Sequence, residues 1–360
     1  MNYNLLSILR KFNIEGNIQS AKPFGSGHIN DSFKVEAGEK KYLLQRINHK
    51  VFKDIEGLTY NIVNVTDHIR NKINSFQNDD PLRKTLRLIK SLNGKYFVTD
   101  DDGNFWRLFD FIEEGRSYDL VENSGIAYEG GKAYGRFINL LSDFPAKILV
   151  ETIPDFHNIE FRLNNFWKAI KLDQTNRVKN VADEIKFIKE RANEMKLVLK
   201  LGKEGKIPLR VTHNDTKINN VLFNKDGKAI CVIDLDTVMP GYVHYDFGDS
   251  IRTFANTADE DESDLSKVNI NLDYFTAFAK GFLKETKLNL NTTEIETLAF
   301  SAKLMTFIIG LRFLTDYIYG DKYYKIKYPG HNLQRARVQF KLLESLEEKY
   351  IEMQRIILQI

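Results

Sequence analysis

The sequence predicts an α+β chain in two unequal lobes, β-rich over residues 1-115 and mostly helical over residues 116-360. Three observations predict it. Up to residue 115, short apolar runs are broken by turns such as Asn93-Gly94 and Asp102-Gly103, dipeptides that close hairpins. Beyond it, apolar residues recur at helical spacing, as in Ile126 to Leu141. Within the helical half, Leu209 to Asp249 reads instead as short strands separated by polar loops. At 360 residues the chain is long enough for each lobe to bury a core.

Taken in order, Met1 to Phe12 carries apolar residues at helical spacing and lacks the unbroken apolar core of a signal peptide. Ile18 to Phe24 and Ser32 to Val35 read as strands around the turn Gly25-Ser26-Gly27-His28-Ile29-Asn30-Asp31. Lys40 to Ile47 is a third strand, followed by a helix over about Asp54 to Ile73. Lys84 to Lys90, Lys95 to Asp100 and Asn104 to Ile112 read as further strands, and Glu113-Glu114-Gly115 as a hinge. The helical half continues with Asn165 to Lys171, Val181 to Leu201, Asp249 to Ala255, the strongly apolar Leu304 to Ile318 and the terminal Leu333 to Ile360. The acidic run Asp259 to Asp264 reads as a loop.

Composition excludes several classes. With 52 basic against 49 acidic residues the net charge is only +3, and the charges are interleaved, so a nucleic-acid partner is not expected. Cys231 is the single cysteine, which rules out an intrachain disulfide and points to a reducing compartment. No zinc spacing exists among it and seven histidines. The best apolar stretch, Leu304 to Leu314, is broken by Arg312 and falls short of the ~18 residues a membrane span needs. The expectation is a cytoplasmic protein, monomer or homodimer, with no membrane partner.

The chemistry concentrates in Leu209 to Asp249. An apolar strand runs into His213-Asn214-Asp215-Thr216-Lys217-Ile218-Asn219-Asn220. A short strand, an Asp226-Gly227 turn and a second apolar strand ending at Asp234 follow. A hairpin of this kind brings Asp215, Asn220 and Asp234 to one place. Phosphoryl transfer needs such a trio: one carboxylate to orient and deprotonate the attacking hydroxyl, and hard oxygen donors to hold Mg²⁺ on nucleotide phosphates. His-x-Asp-x-x-x-x-Asn followed by an acid on the next strand is the pattern of the protein kinase-like fold. Upstream, Gly25, Ser26 and Gly27 suit a loop whose amide N–H groups cover phosphates. A third glycine and an adjoining helix are missing, which disfavours a Rossmann site, and no Walker loop is present.

The wording THNDTKINNVLF, VIDLDTVMPGYVHYDFGDSIRT and GLRFLTDYIYGDKYY resembles the aminoglycoside phosphotransferase and choline kinase superfamily, and within it the bacterial N-acetylhexosamine 1-kinases. Similar segments run from about Gly25 to Arg337. The resemblance implies a two-lobed protein kinase-like fold with ATP and Mg²⁺ in the cleft. It implies Asp215 as catalytic base, Asn220 and Asp234 as metal ligands, and His213 as a brace of the loop. It also implies the anomeric hydroxyl of an N-acetylhexosamine as acceptor. His28, Arg312 and Tyr323 then join Asp215 at the sugar, and backbone groups around Asp110 to Ile112 meet the adenine.

Several positions stay open at this point. The lysine that kinases carry on the third strand is absent; Gln45 and Arg46 stand there on opposite faces, and Arg46 has the right charge. Its partner acid would be Asp54 or Glu56. Arg312 and Asp316, four apart on one helix, could form an internal ion pair instead. His157 contacts the sugar or starts a helix, Asn30 faces substrate or stabilises its turn, and Asp236 is a second metal contact or a loop acid. Asp246-Phe247-Gly248 copies the kinase metal tripeptide, but it lies beyond the hairpin, so Asp246 is read as a helix cap or a buttress of the loop. His331, Asn332, Arg335 and Arg337 are read as holding the last helix. Alternatives are a kinase for a cationic acceptor such as an aminoglycoside, choline or another amino alcohol, which would line its site with acids, and an inactive nucleotide-binding module.

Overall fold

The computed structural model describes residues 3–25, 29–75 and 80–360. β1 (Ile18–Pro23), β2 (Asp31–Ala37), β3 (Lys40–Ile47), β4 (Val98–Thr99) and β5 (Phe105–Asp110) form an antiparallel sheet in the order β1-β2-β3-β5-β4. One face is covered by the short helix α1 (Leu5–Leu9): Ile8 and Leu9 pack on Val35, Tyr42, Leu44, Trp106 and Leu108. The other face turns Ile47 and Phe109 towards α2 (Ile55–Asn74), whose Leu58, Ile62, Val65 and Ile69 lie in the main core. Strand alternation assigns these two faces. Asp54 caps α2, its carboxylate accepting the Gly57 N–H at 2.8 Å.

The expected strand Lys84 to Lys90 does not form. Asp80 caps a short helix α3 (Pro81–Lys84), Pro81 standing in its first turn, where a missing N–H costs nothing. The chain then touches the sheet at the single bridge Leu88 to Phe109. The expected strand Lys95 to Asp100 shrinks to β4. The turn at Asp102-Gly103 joins β4 to β5, whereas Asn93-Gly94 closes a local loop in which Ser91 N–H donates to Lys95 O at 2.7 Å.

After β5 the chain crosses at 111–116, and Arg116 pairs with Phe223 through N–H to O bonds of 2.9 and 2.8 Å. The helical part comprises α4 (Ser124–Leu140), α5 (Ile159–Leu172), α6 (Ala182–Arg191), α7 (Leu197–Lys203), α8 (Val243–Phe254), α9 (Leu272–Thr286), α10 (Thr292–Tyr319) and α11 (His331–Gln359). The single helix expected over Val181 to Leu201 is broken between α6 and α7. Buried Ile188, Met195, Val198 and Leu201 keep one apolar period across the break, so periodicity reads a continuous helix. Two small antiparallel pairs lie among the helices: β6 (Arg210–Thr212) with β9 (Met239–Gly241), and β7 (Val221–Phe223) with β8 (Ala229–Val232).

α4 and α9 touch backbone to backbone: a Cβ on Gly131 would lie 2.1 Å from Phe278 O, and one on Gly281 2.1 Å from Tyr128 O. α10 opens on an Asn291–Glu294 capping box and stops at Gly320, whose φ of 94° few other residues adopt. It is long and apolar enough to cross a bilayer, yet 89% of its most apolar window is buried within the protein. Leu304, Phe307, Ile308, Leu311 and Leu314 fill a second core with Phe166 and Phe340.

Candidate active site

β6 delivers the chain into a loop held by buried polar groups. Asp246, on the first turn of α8, accepts the backbone N–H groups of His213 at 2.8 Å and Asn214 at 2.7 Å. It makes no cap for its helix, so the buttress reading of Asp246 holds and the cap reading does not. α8 begins at Val243, six residues before the expected Asp249. Asp249 accepts Thr216 N–H at 2.9 Å, and Thr237 donates its hydroxyl to His213 O at 2.7 Å. His213 bonds Ile233 O through Nε2 at 2.9 Å and accepts Asp215 N–H on Nδ1 at 3.3 Å, tying the loop to the strand end before Asp234. His157 reaches in from the start of α5 and donates Nε2–H to Asn214 O at 2.9 Å.

These clamps set the geometry of the trio. Asn214 (φ 64°) and Asp234 (φ 59°) both adopt the left-handed conformation, which costs a non-glycine residue of order 1–3 kcal/mol and persists where the surroundings impose it. Asn220 donates its amide to Asp215 O at 2.8 Å and to the Asp215 carboxylate at 3.3 Å. Asp234 lies within electrostatic reach of both Asp215 and Asp236. Its residue is exposed to solvent. Desolvation by the protein around it, and then Asp236 and Asp215, raise its carboxyl above the usual carboxylate range, against the pull of Lys217 and Arg107. Burial likewise pushes Asp246 up to about 6, against the bonds from His213 and Asn214. Lys217 stands 3.2 Å from Asp215, whose charge raises the ammonium above its ordinary value.

The nucleotide side departs from expectation. Arg46 faces away from the cleft: its guanidinium pairs with Asp31 at 2.6 Å and lies over the Tyr3 ring. The residue on the cleft face is Gln45, and its cross-strand partner is Arg107 of β5. Arg107 forms a buried bidentate pair with Asp236, Nη2 to carboxylate oxygen measuring 3.0 Å. Asn30 donates to the same carboxylate at 2.7 Å and accepts Asn48 N–H at 3.0 Å, so it ties Asp236 to the chain after β3. Neither acid expected on α2 acts as a partner: Asp54 is spent on its cap and Glu56 on exposed Lys95. α2 also buries the neutral Asn61, whose amide bonds the Val150 and Val238 backbone. Asp110 turns its carboxylate to Arg87 and spends its N–H on Arg87 O, which takes its side chain and amide away from an adenine. Phe111 N–H goes to Lys41 O, and Ile112 is the first residue whose N–H has no partner among the described residues. Gly25, two residues after β1, has φ 78°; Ser26, Gly27 and His28 lie outside the described residues.

On the acceptor side the alternative pairing of Arg312 with Asp316 is absent. Asp316 instead accepts the backbone N–H groups of Lys322, Tyr323 and Tyr324 and the Asn332 amide at 2.8–3.0 Å. Arg312 has no carboxylate partner among the described residues and is surrounded by the rings of Phe156 at 4.7 Å, Tyr324 at 5.7 Å and Tyr323 at 6.0 Å. Burial works against its charge, but Tyr324, Tyr323, Asp215 and Asp249 outweigh it and raise its value. Tyr323 itself is 55% exposed. Arg162, also enclosed, is pulled down to about 10 by burial and by Arg312, and donates to Phe156 O. Arg337 pairs with Glu184, His331 with Asp261, and Asn332 links Asp316 to Asp321, contacts that fasten the start of α11.

Sequence reasoning missed Arg107, Lys217, Arg162 and Asn61. A signal existed for two of them: an arginine inside the apolar strand Phe105–Asp110 demands a buried partner, and Asp-x-Lys within the loop sets a cation beside the base.

A five-stranded sheet over a helical part, with this loop and hairpin between, defines the protein kinase-like fold. The model of the phosphotransferase enzyme family APH matches residues 20–265, more than half of the chain, and the protein belongs to that family. Among solved structures it is similar to an aminoglycoside phosphotransferase from Alicyclobacillus acidocaldarius (10% identity, TM-score 0.65, covering 100% of this chain and 98% of that one). It is also similar to a microcompartment-associated aminopropanol kinase (13%, TM-score 0.63, 97% of each chain). A third is a spectinomycin phosphotransferase in complex with ADP and spectinomycin (14%, TM-score 0.54, 96% of this chain and 95% of that one). The protein is a phosphotransferase.

Proposed function

We propose that this chain is an ATP-dependent kinase that phosphorylates the anomeric hydroxyl of an N-acetylhexosamine, N-acetylglucosamine or N-acetylgalactosamine, to the sugar 1-phosphate. The observation that carries the sugar reading is Arg312, without a carboxylate partner among the described residues and ringed by Phe156, Tyr323 and Tyr324. A cationic acceptor wants free acids, and the nearby ones are spent. Asp316 holds the 322–324 backbone, Asp321 pairs with Arg177 and Asn332, and Glu260 pairs with Arg252 and Arg335. A forked guanidinium beside aromatic faces suits a neutral, hydroxyl-rich ring and the oxyanion that develops on it.

Asp215 orients the acceptor hydroxyl and takes its proton, with Lys217 balancing the charge at 3.2 Å. Asn220 and Asp234 fit a hard cation: the Asn220 amide N–H is spent on Asp215, which turns its carbonyl oxygen elsewhere, and Asp234 is crowded by other acids. Among the described residues no three His, Cys, Asp or Glu side chains close on one point, so phosphate and water would complete the shell. Bound there, Mg²⁺ would neutralise the charge on the phosphates. The hinge amide at Ile112 meets the adenine.

The test is ADP release from ATP·Mg²⁺ against N-acetylglucosamine, N-acetylgalactosamine, galactose, choline, homoserine and kanamycin. Turnover with the N-acetyl sugars is expected. Turnover confined to a cationic acceptor would leave the chemistry and overturn the reading of Arg312.

A further inference from the structure

The nucleotide's phosphates need a positive charge from the sheet, and β3 does not supply it: Gln45 occupies the cleft face and Arg46 is held on the other by Asp31. Directly across from Gln45, on the same face, stands Arg107. Gln45 Oε1 accepts Arg107 Nε–H at 3.1 Å and Nη2–H at 2.8 Å, which fixes the plane of the guanidinium. The amide of Gln45 is itself oriented by donating to Ser32 Oγ at 3.0 Å. The guanidinium lies against the Phe109 ring at 5.0 Å and points its two Nη atoms at Asp236, two residues beyond Asp234. Its charge reaches Asp234, whose carboxyl it helps to lower. The side chains of Arg107 and Asp236 are only 2% and 4% exposed, so this is a dry, pre-oriented cation between the sheet and the acids of the hairpin.

We propose that Arg107 is the phosphate-pairing cation of this kinase, carried on the fifth strand instead of the third, oriented by Gln45 and balanced by Asp236 in place of a helix acid. Neither candidate acid of α2 balances this cation, since Asp54 caps its own helix and Glu56 meets exposed Lys95; the balancing carboxylate comes from the loop after Asp234. The proposal rests on the kinase class alone and is independent of the sugar reading, because its test needs no acceptor.

The experiment measures binding of ADP and of adenosine in EDTA by calorimetry, so that metal ligation plays no part. Arg107→Met should weaken ADP by about tenfold or more, the worth of one charge-assisted bond to phosphate, and leave adenosine unchanged. Asp236→Asn, which releases the guanidinium from its carboxylate, should hold or tighten ADP. If Arg107→Met does not fold because Asp236 is left buried and unpaired, Arg107→Met with Asp236→Asn, compared with Asp236→Asn alone, gives the same contrast. Equal loss of ADP and adenosine, no loss of ADP, or weakening of ADP by Asp236→Asn as large as by Arg107→Met would each overturn the proposal, the last by making the pair a latch between the sheet and the loop.

Discussion

Replacing His157 by Phe separates its structural duty from its charge. The imidazole is buried, its Nε2–H holds Asn214 O at 2.9 Å, and Nδ1 has no hydrogen-bond partner among the described residues. Burial, and then Arg312, push its value down from 6.5 to about 3, so the folded protein keeps this histidine neutral. At pH 7.5, His157→Phe leaves the Asn214 carbonyl without a donor and should cost about 1–3 kcal/mol. Below pH 6.5 the unfolded chain binds a proton on His157 that the native protein refuses, so wild-type stability is lost as pH falls. At pH 5 that loss is about 1.5 pH units at 1.36 kcal/mol each, or ~2 kcal/mol, and the Phe variant does not suffer it. Asp246, raised by burial, titrates in the same window with the opposite sign: its native state binds the extra proton, so it gains stability as pH falls. Only the difference between variant and wild type isolates the histidine. Urea unfolding at pH 7.5, 6 and 5 should therefore show the variant's deficit shrinking by ~2 kcal/mol. A deficit that stays constant, or widens towards pH 5, would refute a buried neutral His157.

Three further outcomes are expected. Asp215→Asn should lower kcat by ~10²–10⁴-fold with ADP affinity retained, read in a coupled kinase assay. Asp234→Asn should raise the Mg²⁺ concentration needed for half-maximal rate, whereas Asp246→Asn should leave it unaltered; a common Mg²⁺ defect in both would return Asp246 to the metal. Cys231 is buried on β8 and its thiol is pushed up to about 12 by burial, so iodoacetamide at pH 8 should label it only after denaturation, as mass spectrometry reads directly.

What could be read locally was read correctly in outline. Asp215 and Asn220 are near in sequence, a tight hairpin carries the chain on to Asp234, and so their approach follows from turn chemistry and strand period. Reading stayed open where one group had two physically reasonable partners. Arg312 and Asp316 share a helix face, but the backbone of 322–324 folds back and offers Asp316 three N–H groups, a better match for a carboxylate than one flexible side chain. Arg46 and Gln45 alternate on β3, and nothing within that strand says which face meets the cleft.

The sequence by itself determined the sheet-then-helix order, the polar loop and hairpin, and the exclusion of a Walker loop, because these depend on φ/ψ preferences and periodicities within a few residues. Only the tertiary structure decided that Arg107 meets Asp236, that Asp246 braces the loop and that Arg312 goes without an acid among the described residues. Those pairings join residues far apart in sequence, and each is selected by the high cost of leaving a buried charge or N–H group without a partner once the core has closed.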